Sequence, residues 1–331
     1  MSMEDQNPAS KHLPKPKLLI LRPPHIIILF ENLFSDNFQL LKPYESPIPT
    51  DQFLDAHSAS VEAMLIAGGT PITAAVLRRL PLLRLICTTS AGLNHIDLPE
   101  CRRRGVSVAY AGEVYSEDVA DLAVGLLIDV LRRVSAANRF VRDGLWPIKG
   151  DYPLGSKLGG KRVGIVGLGS IGFLVAKRLE AFGCSISYNS RKKKPSVPFP
   201  FYHNVCDLAT NCDVLVLCCA LTDETRHMIN KEVLLALGKE GIIINIARGT
   251  VIDEKELVRF LVEGEIAGAG LDVFENEPEV PQELFALDNV VMSPHRAVFT
   301  DESLWDICEL MLGNLEAFFA NKPLLSPVLD E

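Results

Sequence analysis

The chain has 331 residues, 48% of them hydrophobic and 23% charged, with a formal net charge of −9. That length suits about two domains of ordinary globular composition, and the acidic balance disfavours a nucleic-acid partner. No apolar run approaches the roughly 18–20 residues of a membrane span. The longest helical stretch, Val119 to Val141, is interrupted by Asp121, Asp129, Arg132 and Arg133.

In chain order, a polar, proline-rich stretch over residues 1–15 is expected to be a disordered tail. It has no apolar signal core and carries Glu4 and Asp5, so no targeting peptide is expected. Short apolar strands are predicted at Leu18–Leu21, Met64–Ala67, Leu85–Thr88 and Val106–Ala109, with helical patterns such as Thr73–Leu80 between them. Such alternation implies a parallel sheet with helices on its faces. An amphipathic helix from Glu117 to Arg142 follows, with Ser116 as its N-cap, then a loop over Asp143–Gly160. A strand from Arg162 runs into a glycine-rich turn and a helix over Leu174–Phe182. Further strands are expected at Ser185–Tyr188, Val214–Cys218, Ile242–Ile246, Ala267–Asp272 and Val290–Met292, and a last helix at Asp301–Phe319. The reading is an α/β protein of two doubly wound parallel-sheet domains, with residues 117–296 inserted between 16–116 and 297–331.

The turn is Gly167-Leu168-Gly169-Ser170-Ile171-Gly172. The first glycine allows the tight turn and the second lets a pyrophosphate approach the backbone. The third lets the helix lie close to the strand, with its N-terminal amides aimed at the phosphates. The strand before and the helix after make this a dinucleotide site of the Rossmann kind. An NAD site ends its second strand on an acid that binds the ribose hydroxyls. Here that place reads Asn189-Ser190-Arg191-Lys192-Lys193-Lys194. A hydroxyl, a guanidinium and an ammonium suit a 2′-phosphate, so NADP is the expected cofactor, with Ser190, Arg191 and Lys192 as first contacts. The plain alternative is a solvated basic turn.

Three later strands each deliver a charged or titratable side chain at the carboxyl end: Arg248, Glu277 and His295. Singly, each has a structural explanation: an ion pair, a surface turn, a histidine after a proline. Together they supply the cation, carboxylate and imidazole needed to reduce a 2-oxo acid. Hydride addition leaves an alkoxide, so a protonated acid must stand within reach, a neighbouring carboxylate favours imidazolium, and a fixed guanidinium stabilises the oxyanion.

These residues carry a specific resemblance. GLGSIG at 167–172, NSRKK at 189–193, INIARG at 244–249, GLDVFENEP at 270–278 and SPHRA at 293–297 resemble the D-2-hydroxyacid dehydrogenases. So do TTSAGLNHID at 88–97 and DVAD at 118–121. Within that family, the plant glyoxylate/hydroxypyruvate reductases and the hydroxyphenylpyruvate reductases are the nearest match. The resemblance implies a Rossmann domain inserted in a flavodoxin-like substrate domain, and NADPH-dependent reduction of hydroxypyruvate or glyoxylate to the D-2-hydroxy acid. It makes His295 the proton donor, Glu277 its partner and Arg248 the group that holds substrate and polarises the ketone. Asp272 would orient the nicotinamide, Ile246 and Ala247 would line it, and the amides of Ala91 and Gly92 would grip the substrate carboxylate from the other domain. A homodimer is implied, with Trp146 in the segment that in relatives reaches the partner's site. A small pair usual after the histidine is replaced by Arg296-Ala297-Val298-Phe299, and Asn94 stands where Asp is frequent.

Two alternatives remain open: an aromatic 2-oxo acid such as 4-hydroxyphenylpyruvate as substrate, and a dinucleotide-binding co-regulator scaffold. His95 reads as loop structure, and His203 and His227 lie in polar stretches without a partner pattern. No metal is expected, since no helix carries ligands at the right spacing. Cys87, Cys184, Cys218 and Cys219 fall in or beside apolar runs and no Cys-x-x-Cys occurs, which suits buried thiols in a reducing compartment, the cytoplasm by default.

Overall fold

The computed structural model describes residues 14–329. The expected tail lies outside them except for Pro14 and Lys15, whose ammonium donates to the Ser35 carbonyl at 2.7 Å. The chain forms two compact units, one of residues up to Gly112 together with Leu304 onward, the other Glu113–Ser303.

The first unit holds β1 (Lys17–Ile20), β2 (Gln39–Leu41), β3 (Ala63–Ile66), β4 (Leu85–Thr88) and β5 (Ser107–Ala109). All pairings are parallel, in the order β2-β1-β3-β4-β5, which is the flavodoxin-like order. β1, β3 and β4 are buried almost throughout, as strands covered on both faces must be. The last helix, Asp301–Phe319, brings Ile307, Cys308, Met311 and Leu315 into full burial. Beyond it the chain joins the edge of β5. Tyr110 N–H donates to the Ser326 carbonyl at 3.1 Å and Val328 N–H to that of Val108 at 2.8 Å. Buried Asn314 fixes this return by accepting from the amides of Leu325 and Ser326.

The second unit holds β6 (Arg162–Val166), β7 (Ser185–Asn189), β8 (Phe201–Tyr202), β9 (Val214–Leu217), β10 (Ile242–Asn245), β11 (Gly268–Leu271) and β12 (Val290–Met292). The order is β12-β11-β10-β9-β6-β7-β8, again all parallel. The chain leaves β6 in one direction through β7 and β8, then starts again on its other flank with β9. This reversal is the switch point outside whose strand ends open α/β sheets bind ligands. A core of Leu215, Leu217, Ile243, Leu257, Phe260 and Leu271 packs one face.

The expected helix over 117–142 is two helices, Ser116–Arg132 and Val134–Arg142. Arg133 turns left-handed at φ 55, and Asp129 takes the Ser135 amide at 2.7 Å and its hydroxyl at 2.5 Å. Ser116 is the first helical residue and does not cap; Tyr115 occupies the cap position without a side-chain bond. The loop over 143–160 contains a short helix, Trp146–Lys149. The second unit also reaches beyond 117 and 296. Ser170 Oγ donates to the Glu113 carboxylate, and Thr300 and Ser303 hydroxyls donate to that of Asp118, so both flanking segments are bonded into it.

Candidate active site

The glycine turn leaves β6 at the switch point. Gly167 has φ 94, and a Cβ there would stand 2.6 Å from the Cys219 backbone. A Cβ on Gly172 would stand 2.2 Å from the Gly167 carbonyl oxygen, so the helix Ser170–Ala181 lies as close to β6 as backbone allows. Gly169 differs: apart from its immediate chain neighbours and its own helix's backbone, no atom of the described residues lies within 4 Å of its Cβ position. Protein packing explains two of the glycines and leaves open space over the third. The helix starts there with no side-chain cap, so its first amides are available to an anion. Leu168 is buried beneath the turn. These residues fit a dinucleotide pyrophosphate.

β7 ends at Asn189, where an acid would bind ribose hydroxyls. Its amide instead donates to the carbonyls of Tyr202 at 2.9 Å and His203 at 3.1 Å. Ser190 Oγ donates to the Lys192 carbonyl at 2.7 Å and closes a turn that exposes Arg191 and Lys192. Glu224, on the connection after β9, is held below its ordinary value by the Thr222 hydroxyl first and by the Arg191 charge among lesser causes.

The next three strand ends build one constellation. At the end of β10, buried Asn245 shapes the turn with its own side chain. Its Oδ1 accepts from Ala247 N–H at 3.0 Å and its Nδ2 donates to the Arg248 carbonyl at 3.1 Å. Ile246 and Ala247 are buried, and Arg248 Nη1 donates to the Ala247 carbonyl at 2.6 Å. Burial pulls the Arg248 guanidinium below its ordinary value, and the Glu277 charge opposes this. Gly249 then passes directly beneath the turn after β11: a Cβ on it would lie 1.9 Å from the Phe274 carbonyl carbon.

At the end of β11, Asp272 is buried, and both its oxygens accept backbone amides, Arg296 N–H at 2.8 Å and Ala297 N–H at 3.2 Å. Its carbonyl takes His295 N–H at 2.8 Å. Asp272 thus visibly holds the loop after β12 in which His295 sits, left-handed at φ 53. Glu277 accepts Phe274 N–H on Oε1 at 3.0 Å, and its Oε2 lies 2.7 Å from His295 Nδ1. Burial would raise the Glu277 carboxyl. The hydrogen bonds from His295 and Phe274, with the His295 and Arg248 charges, outweigh burial and hold it below its ordinary value. The carboxylate on Nδ1 leaves Nε2 as the ring nitrogen outside this pair. Arg296 stacks on Phe299, its guanidinium carbon 4.1 Å from the ring centroid.

His227 is not the unpartnered histidine expected from sequence: its Nε2 lies 2.9 Å from Glu275 Oε1. No local pattern signals that pairing. The part played by Asn245 was open to reading, since a short amide at a strand end favours bonds to nearby backbone. In the first unit, Ser90 Oγ donates to the Gly92 carbonyl at 2.8 Å and His95 Nε2 lies 3.3 Å from Thr88 Oγ1, so the loop bearing Ala91 and Gly92 is internally braced. Among the described residues no three His, Cys, Asp or Glu side chains gather as a metal site, and no helix is long and apolar enough to cross a membrane. All eight cysteines are free thiols, five of them buried.

A doubly wound domain with an open glycine turn at its switch point and an imidazole–carboxylate pair at its later strand ends has the arrangement of a nicotinamide-dinucleotide oxidoreductase. Comparison with known proteins narrows the class. Residues 124–297 match the family described as D-isomer specific 2-hydroxyacid dehydrogenase, NAD binding domain. A glyoxylate/hydroxypyruvate reductase of Arabidopsis thaliana is 56% identical over 313 residues, 95% of this chain and 97% of that protein. A hydroxyphenylpyruvate reductase of Plectranthus scutellarioides is 47% identical over 90% of this chain and 95% of its own. Among solved structures, an NADPH-dependent glyoxylate/hydroxypyruvate reductase of Sinorhizobium meliloti, in complex with NADP and malonate, superposes with a TM-score of 0.87. It is 32% identical, covering 95% of this chain and 97% of that one. The chain belongs to the D-isomer specific 2-hydroxyacid dehydrogenases and is an NAD(P)-dependent enzyme of that family.

The close passage of Gly249 is testable. Gly249→Ala must separate the turns after β10 and β11, and is expected to cost about 1–3 kcal/mol of stability. It should also lower kcat/KM roughly 100-fold by displacing Arg248 and Glu277. Thermal unfolding and turnover check both, and wild-type turnover would contradict the packing argument.

Proposed function

We propose that the protein reduces a small 2-oxo acid, hydroxypyruvate or glyoxylate, to D-glycerate or glycolate with NADPH. The observation that carries this reading is the 2.7 Å His295–Glu277 pair after β12 and β11, with Arg248 presented by β10 beside β11. When bound, the reduced dinucleotide supplies a hydride to the keto carbon. As that carbon–oxygen double bond becomes single, its electron pair moves to oxygen, where Arg248 stabilises the charge. His295 gives the alkoxide its proton from Nε2, becomes neutral, and is reprotonated from solvent. Arg248 and the amides of Ala91 and Gly92 take the substrate carboxylate. Ile246 and Ala247 line the nicotinamide face, and Asp272, besides holding the His295 loop, orients that ring.

Because Glu277 is held below its ordinary value, its charge persists through the weakly acidic range and stays available to His295 as a counter-charge. Glu277→Gln removes the charge and keeps the shape. The alkaline limb of the rate profile for reduction should move to lower pH, because the proton donor loses its counter-charge. A profile superimposable on wild type would reject the pairing as functional.

NADPH preference rests on Asn189 in place of an acid and on the exposed Arg191 and Lys192; the Sinorhizobium meliloti neighbour is itself NADPH-dependent. Steady-state rates at 340 nm with hydroxypyruvate, glyoxylate and 4-hydroxyphenylpyruvate, each with NADPH and NADH, test substrate and coenzyme together. Hydroxypyruvate with NADPH should lead, and Arg191→Asp should reverse the coenzyme preference. An unchanged preference would place phosphate recognition elsewhere. Turnover led by the aromatic acid would favour the second reading, which the 47% identity to a hydroxyphenylpyruvate reductase supports. No turnover of any 2-oxo acid by folded protein would favour the scaffold reading.

A homodimer belongs to the same proposal, with the exposed Val134, Val141, Trp146 and Ile148 as the surface a second copy would cover. Sedimentation at micromolar concentration should give twice the chain mass; a monomer would remove it. Eight free thiols suit the proposed cytoplasmic location.

A further inference from the structure

A second imidazole–carboxylate pair stands beside the first. His227 follows β9, and its Nε2 lies 2.9 Å from Glu275 Oε1. Its backbone N–H donates to the Thr250 carbonyl at 2.8 Å. One residue therefore joins the connections that follow β9, β10 and β11. It does so at φ 50, a left-handed position where glycine is the unstrained choice, so the ring is kept against a backbone preference.

Glu275 is also held from the other side, its N–H donating to Glu254 Oε2 at 2.9 Å. Burial drives the Glu254 carboxyl above the usual range, the Glu275 amide opposes this, and the Glu275 and Glu277 charges add to it. Two residues further on, Glu277 bonds back to Phe274 N–H and forward to His295. The turn 274–277 is thus one small rigid block. Its height is set by Gly249 and its backbone by Glu254. The bond from His227 to Glu275 is a side-chain restraint on its lateral place.

We propose that His227 is a positioning residue for the reduction: by anchoring Glu275 it fixes where the Glu277 carboxylate meets His295. This rests on the reading of Glu277 and His295 as the acid pair. Charged or titratable groups around the turn are Arg248, Glu254, Glu275, Glu277, His227 and His295, so a change in its seating registers in the proton-transfer step.

The full-length enzyme is assayed with hydroxypyruvate and NADPH. His227→Gly keeps the left-handed backbone and the amide, and removes only the ring. Its kcat should fall about tenfold, while KM for NADPH stays within about twofold. The alkaline limb should move about half a pH unit toward acid. Glu275→Ala should reproduce this, Glu275→Gln should retain most activity because its amide oxygen still accepts, and the His227→Gly/Glu275→Ala pair should be no worse than either single change. Wild-type kcat and profile in folded His227→Gly, losses that multiply in the double variant, or Glu275→Gln as impaired as Glu275→Ala would each overturn the proposal. Glu277→Gln is run in parallel. If its profile is unchanged, the acid-pair reading fails and this inference with it. If its profile moves while that of His227→Gly does not, only the positioning role of His227 is lost.

Discussion

The backbone at Gly249 touches the backbone at Phe274 and Glu275 so closely that no side-chain atom fits between them. Everything distinctive about the site follows from that contact. Parallel strands end on the same edge of a sheet, but their connections ordinarily splay apart to make room for side chains. Here the connections after β10 and β11 meet at van der Waals distance, so Arg248 and Glu277 arrive as a unit. Interiors packed to that density transmit displacement and do not absorb it. The contact therefore sets the spacing between a guanidinium and a carboxylate without either being held by a direct bond to the other.

The remaining precision comes from buried polar side chains that bond to backbone. Asn245 closes the turn that presents Arg248, and Asp272 spends both oxygens on the loop that presents His295. A carboxylate inside a protein is costly unless it is hydrogen-bonded, and each Asp272 oxygen accepts one backbone amide. Groups that look like reactants in sequence thus divide into two kinds. Glu277 is half-exposed and bonded to an imidazole, which suits proton chemistry. Asp272 is enclosed by amides, which suits architecture. Arg248 is desolvated beside its own preceding carbonyl, where a positive charge acts strongly on any anion that enters.

Sequence periodicity reveals the strands whose burial is continuous, because β-branched runs bounded by glycine or polar residues leave few readings. β2 and β8 escape it: three and two residues carry no period. The break at Arg133 escapes it for the opposite reason. The apolar spacing continues through Val134 and Ala136, and the interruption is made by Asp129 capturing a later amide, with no glycine or proline to announce it. The glycine turn, Arg248, Glu277 and His295 are legible because each sits where a strand must stop. The His227–Glu275 pair is not, since its members are 48 residues apart and meet only once β9, β10 and β11 are in register.

The first unit is discontinuous in the chain, and this orders events during synthesis. Phe38 lies tilted against Phe319, Phe30 meets Trp305 edge-on, and the segment after the last helix closes on β5. Those partners emerge only after the whole intervening unit has been made. The inserted unit has all its strands in hand first, while the earlier-made half waits with an apolar flank and an open strand edge uncovered. Nascent chains arrested before the last helix would carry that uncovered edge, the feature that invites chaperones or mispairing.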